Sequence, residues 1–113
     1  PEVCVLAFDH RKQLTDMADE TGADRACIHT LKQLLVRSVE KGIQESGLSE
    51  STAGVLIDDT FGQDALNDIT GRGWFIGRPV ELPSSYPLEL EGGCSIGSRL
   101  KEWPLEHIVS QSQ

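Results

Sequence analysis

The run Val3-Cys4-Val5-Leu6-Ala7-Phe8 is apolar at every position and stops abruptly at Asp9-His10-Arg11. Consecutive apolar residues without alternation predict a strand buried on both faces, as in a parallel sheet covered by helices. The three ionisable residues then fall where strand gives way to loop. In α/β folds ligands and chemistry gather at the carboxyl ends of strands. The chain repeats this pattern, which predicts an α/β fold of successive βα units with parallel strands, the opening part of a (β/α)8 TIM-type barrel.

After the first strand, Gln13 to Glu20 reads as a short helix ended by Gly22. Asp24 is placed to cap a longer one. Its apolar positions Cys27, Ile28, Leu31, Leu34, Leu35, Val39 and Ile43 recur at three and four residues and make one stripe, with Lys32 and Arg37 off it and Gly47 as terminator. A second strand, Ala53 to Ile57, closes on Asp58-Asp59. Phe61-Gly62 turns the chain into a helix, Asp64 to Ile69, with Ala65, Leu66 and Ile69 inward. A third strand, Trp74 to Gly77, ends on Arg78-Pro79-Val80-Glu81. Strand, helix and strand in succession predict right-handed crossovers. Leu82 to Gly93, with Pro83, Pro87 and Gly92-Gly93, is expected to be a long loop. Ser95 is expected to cap a last helix through Trp103. Glu106-His107-Ile108-Val109 reads as the start of a fourth strand. Residues 1–109 thus form three and a half βα units, and 110–113 a polar tail without strand character.

At 113 residues the chain is one small domain or part of a larger one. A diffuse net charge of -8 argues against nucleic acid or an anionic membrane surface as partner. No apolar run approaches the roughly 18 residues of a membrane span. Cys4, Cys27 and Cys94 lack metal-ligand spacing, so neither a metal nor a cofactor is expected. Cys4 and Cys27 read as buried thiols in a reducing cytoplasm.

Three strand ends deliver Asp9/His10/Arg11, Asp58/Asp59 and Arg78/Glu81 to one rim. Neighbouring parallel strands lie about 4.8 Å apart, so these side chains can converge on one small polar ligand. Arg11 and Arg78, with Asp59 and Glu81, are the expected binding residues. Asp9, His10 and Asp58 are the expected acid/base groups. Each also has a structural reading: Asp9 or Asp58 as a turn cap, Arg78 as a partner of Glu81 or Asp59. Lys12, Lys32, Lys41 and Lys101 show no context that would prepare an imine-forming amine. Trp74 and Trp103 read as core residues, and His29 and His107 as structural or exposed.

Leu6-Ala7-Phe8-Asp9-His10-Arg11 resembles the first strand of class I tagatose-bisphosphate aldolases, which carry Asp-Gln-Arg there. Leu56-Ile57-Asp58-Asp59-Thr60-Phe61-Gly62 resembles that family's second strand. Closer still, Gly77-Arg78-Pro79-Val80-Glu81-Leu82-Pro83 and Leu100 to Pro104 resemble an aldolase-like domain fused behind the sugar kinase of myo-inositol catabolism, dehydro-deoxygluconokinase. The resemblance implies a TIM-type barrel and a phosphorylated sugar or inositol-derived metabolite as ligand. It carries over Asp9, Arg11 and Asp58, with Arg78 and Glu81 particular to the kinase-fused branch. Its Schiff-base lysine sits on a later strand that this chain lacks, so the chain alone is expected to be inactive. Arg78-Pro79-Val80-Glu81 stands where the aldolases carry a lysine motif, and Ser110 to Gln113 departs from the strand that follows in the family. The parent would be an aldolase-like lyase, a sugar kinase, or both. The alternatives are a non-catalytic regulatory or assembly domain of the kinase, and a structural fragment. Open strand edges predict self-association, as a dimer of half-barrels or by domain swapping.

Overall fold

The computed structural model describes residues 2–110. Strand β1 (Cys4–Ala7) leads through α1 (Lys12–Thr21) and α2 (Ala26–Ser46) to β2 (Ala53–Leu56). There follow α3 (Gln63–Ile69), β3 (Phe75–Pro79), α4 (Ile96–Glu102) and β4 (His107–Ser110). The strands are all parallel and lie in the order β1-β2-β3-β4. A sheet that grows in one direction through right-handed crossovers sets its crossover helices on one face. The α/β reading therefore holds.

Register separates the two faces. Leu6, Val55 and Ile76 share one side, and Val5, Gly54, Phe75 and Ile108 the other. Val55, Ile57 and Ile76 are sealed under Val36 and Ile43 of α2 and Leu66 and Ile69 of α3. Each such side chain contributes about 1.5–3 kcal/mol by leaving water. Val5, Phe75 and Ile108 on the opposite face remain 41%, 37% and 39% exposed. The first strand is thus not buried on both faces: all of β1 is exposed, because it is an edge and one sheet face is bare. For the same reason Cys4 is exposed, and Cys27 and Cys94 are exposed as well.

The long helix differs from its expected stripe in an informative way. Ile28, Val36 and Ile43 are buried and Leu35 and Val39 partly so, whereas Cys27, Leu31 and Leu34 face outward. Lys32 is inside, at 0% exposure, one turn from both Ile28 and Val36. Its charge suggested the outer face, but its place in the i, i+4 row puts it on the inner one, and its stem reaches along apolar surface to polar partners. Asp24 Oδ1 accepts from Ala26 N–H at 2.9 Å, as an N-cap does, and Gly47 closes the helix at φ 69°. Gly22 ends α1 in the same left-handed conformation. Ser95 makes no side-chain cap on α4. Strand β3 runs on through Arg78 and Pro79, past the expected end at Gly77, because β4 pairs along it. Ser110 lies in β4 rather than in a tail, and residues 111–113 fall outside the described residues.

Candidate functional site

Asp58 follows β2 and is buried with Lys32. Lys32 Nζ donates to Asp58 Oδ1 and, at 2.9 Å, to the carbonyl of His10. Asp58 Oδ2 accepts from Phe61 N–H at 2.9 Å, which fixes the turn into α3. Gly62 completes that turn: a Cβ there would lie 2.4 Å from the Asp58 carbonyl oxygen. Burial lowers the Lys32 pKa, against the opposing pull of Asp58 and Asp9. Asp58 is therefore the anchor joining β2, α2 and the end of β1, not an open acid/base group. Asp9 is buried beside this pair and makes no side-chain hydrogen bond among the described residues. The His10 side chain is exposed, and its contribution to the network is its carbonyl.

The arginines are organised by a carboxylate that the sequence did not single out. Arg11, buried after β1, pairs through Nη1 with Glu91 and donates through Nη2 to the Glu81 carbonyl at 2.8 Å. Glu91 comes from the long loop, which folds back through an antiparallel bridge between Glu81 and Leu90. Arg99 of α4 spans the gap, reaching Glu91 Oε2 at 3.2 Å and Asp59 Oδ2 at 3.0 Å. Arg78 closes the series on Asp59 Oδ2 at 2.8 Å. The line Arg11–Glu91–Arg99–Asp59–Arg78 alternates in charge, with three cations and two anions. Its net charge of about +1 sits in a chain that is acidic as a whole. Burial raises the Glu91 pKa, partly offset by Arg11. The Glu81 side chain takes no part among the described residues; its carbonyl does.

Arg78 lies with its guanidinium carbon 3.8 Å from the Trp103 ring centroid, so Trp103 is a stacking platform rather than a core residue. Trp74 is buried as expected. Arg78 Nη1 approaches His107 Nδ1 at 3.3 Å, and because arginine can only donate, Nδ1 must accept. His107 Nε2–H then donates to Thr70 Oγ1 at 2.9 Å, whose hydroxyl donates to the Leu66 carbonyl at 2.6 Å. Burial and the adjacent Arg78 both lower the His107 pKa, which favours this neutral tautomer. His107, expected to be structural or exposed, is half-buried in this hydrogen-bonded chain and also lines a cleft.

That cleft, of about 580 Å³, opens between α3 and α4. Asp59, Arg78 and His107 line its base, Asn67 and Thr70 one wall, and Arg99 and Trp103 the other. Arg11 lines a different cleft of about 340 Å³ with Lys12, Thr60 and Glu91. The expected single rim is thus two clefts on either side of the Glu91–Arg99 link, and Arg11 and Arg78 do not converge. Among the described residues no group of three or more His, Cys, Asp or Glu is placed to hold a metal ion. Among the described residues no helix is long and apolar enough to cross a membrane.

A model of uncharacterized proteins conserved in bacteria (DUF2090) matches residues 1–112. The chain belongs to this family. No curated protein and no solved structure matches the chain. The description of that family names no activity.

Of the residues missed by sequence reasoning, Lys32 carried a legible signal, its spacing from Ile28 and Val36. Arg99 lies three residues after Ile96 on α4, and Trp103 four residues after Arg99 at the C-cap of that helix, a spacing that hints at a shared face. Glu91 carried none, since its position depends on a loop closing back on β3.

Proposed function

We propose that the domain binds a small anionic, hydroxyl-rich metabolite of the sugar-phosphate class in the α3–α4 cleft. The charge line carries this reading: its last two guanidinium groups, Arg78 and Arg99, meet at the cleft on the single carboxylate oxygen of Asp59, with Glu102 also in the lining. Arg99 is 40% exposed on its side chain and retains N–H groups for a phosphate or carboxylate. The Trp103 ring and the amides of Gln63 and Asn67 suit a polyhydroxylated body. Arg78 is held rigid by Asp59, His107 and Trp103, so little conformational entropy is lost on binding.

Binding without turnover by this chain fits the site best. The one buried lysine among the described residues is locked onto Asp58 and lies outside both clefts. A lyase or kinase activity would belong to a longer parent protein in the cytoplasm, within sugar or inositol breakdown. The one-directional parallel sheet with a bare apolar face supports a partial TIM-type barrel of aldolase-like descent, in which further strands or a second copy would cover Val5, Phe75 and Ile108.

Calorimetric titration with a hexose phosphate tests the reading. Saturable binding by the native chain is expected, weakened roughly tenfold or more in Arg99→Ala. Equal heats for both proteins would reject the α3–α4 cleft as the site.

A further inference from the structure

His107 has one ring nitrogen turned away from the α3–α4 cleft's cations and one turned toward them. Nε2–H is used on Thr70 Oγ1 at 2.9 Å, and the Thr70 hydroxyl in turn on the Leu66 carbonyl. Nδ1 accepts from Arg78 Nη1–H at 3.3 Å. A proton added to the ring therefore goes on Nδ1, where it meets a guanidinium N–H with no acceptor between them. Arg78 does not depend on His107 for its place. Asp59 Oδ2 holds its Nη2 at 2.8 Å, and the Trp103 ring lies 3.8 Å from its guanidinium carbon.

The charges that face the ring are few. Arg78 comes from β3, and Glu106 precedes His107 in the chain with Oε1 accepting from Gly71 N–H at 2.9 Å. Thr70, after α3, is uncharged. The other charged residues of the cleft are Asp59 after β2 and Arg99 and Glu102 of α4, and Asp59 Oδ2 is already shared by Arg78 and Arg99. Burial first, and then Arg78, lower the His107 pKa from its ordinary 6.5, against a smaller opposing pull from Glu106. The ring is held neutral because a proton on Nδ1 lacks an acceptor.

We infer that ligand and proton enter this cleft together: an oxygen of the anion accepts from Arg78 Nη1–H and from a newly protonated His107 Nδ1–H, so that His107 becomes a third cation beside Arg78 and Arg99. This rests on the reading of the α3–α4 cleft as an anion site and adds its regulation. An oxyanion supplies the missing acceptor, and an opposite charge at that distance favours the charged ring. The coupling is reciprocal, so the factor by which the anion raises the ring's proton affinity is the factor by which protonation raises anion affinity. Binding tightens as pH falls from the ligand-bound pKa of His107 to its lower free value, and is level on either side.

Glucose 6-sulfate is the probe that tests this, since a phosphate monoester itself titrates near pH 6. The histidine ring resonances of the 15N-labelled chain are followed from about pH 5 to pH 8, alone and with saturating sulfate ester. The His107 titration should move up by roughly one unit or more on binding, while those of His10 and His29, which do not line the cleft, stay in place. Affinity, read from the Trp103 and Thr70 amide shifts, should rise roughly tenfold as pH falls through that window. In His107→Gln the amide oxygen keeps an acceptor for Arg78, and affinity should hold at the native alkaline value at every pH. Saturable binding with an unmoved His107 titration, or with a pH dependence that His107→Gln retains, overturns the inference and leaves the anion site standing. No saturable shift at Trp103 or Thr70 at any pH rejects the anion site, and the inference with it.

Discussion

Replacing Lys32 with methionine removes the cation beneath Asp58 while keeping the volume of the stem. The variant leaves a carboxylate that is 1% exposed without its charged partner and the His10 carbonyl without its donor. Breaking a buried ion pair from one side costs about 3–5 kcal/mol. For a domain of this size that corresponds to a fall in melting temperature of roughly 10–20 °C. It is also a large share of a total stability of about 5–15 kcal/mol. Asp58→Asn removes the charge and retains an acceptor for Phe61 N–H, so the double variant relieves the stranded carboxylate. Urea unfolding of the four proteins in the cycle should show the double variant less destabilised than the sum of the singles by at least about 2 kcal/mol. If Lys32→Met unfolds within about 1 kcal/mol of the native chain, or the two effects simply add, then Asp58 is not anchored by Lys32. The description of β1, β2 and α2 as pinned at that point would then be wrong.

Three further outcomes follow from the same geometry. The folded-state pKa of His107 is lowered from its ordinary 6.5, so the fold favours the neutral ring. Its contribution is complete above pH 6.5 and is lost as pH falls through the lowered folded value, and the melting temperature of the native chain should drop relative to His107→Gln across that window. A constant difference between the two would refute the assignment. Gly54→Ala would place a Cβ 2.6 Å from Phe75 O and 2.7 Å from Phe75 Cβ, so β2 and β3 must separate. A loss of about 1–3 kcal/mol is expected by urea unfolding, and an unchanged midpoint would contradict the tight approach. The bare face of Val5, Phe75 and Ile108 should drive self-association, measured by light scattering behind a sizing column and reduced by Phe75→Lys. A monodisperse native monomer would count against it.

The elements that sequence made legible are those governed by local pattern. Uninterrupted apolar runs marked β1 and β2, and glycines with φ near 70° closed α1 and α2 where their positions suggested. Asp9, Arg11, Asp58 and Arg78 were recognised as polar groups at strand ends, and all four are buried there. What pattern could not supply was the partner of each. The charge of Lys32 argues for the outer face of α2 and its spacing from Ile28 and Val36 for the inner one, and the spacing decides. Glu91 reaches Arg11 only after the chain has returned 80 residues later. Trp103 and His107 acquire their roles from Arg78, across a cleft whose walls are separate helices. The convergence expected of Arg11 and Arg78 failed because Glu91 and Arg99 stand between them.

The most direct test of anion binding at the α3–α4 cleft is a residue-resolved titration of the native chain with glucose 6-phosphate. Saturable shifts of the Trp103 indole N–H and of the Asn67 and Thr70 amides are predicted, with His107 ring resonances moving in step. Shifts that are absent, non-saturating, or confined to residues outside that cleft would contradict the account.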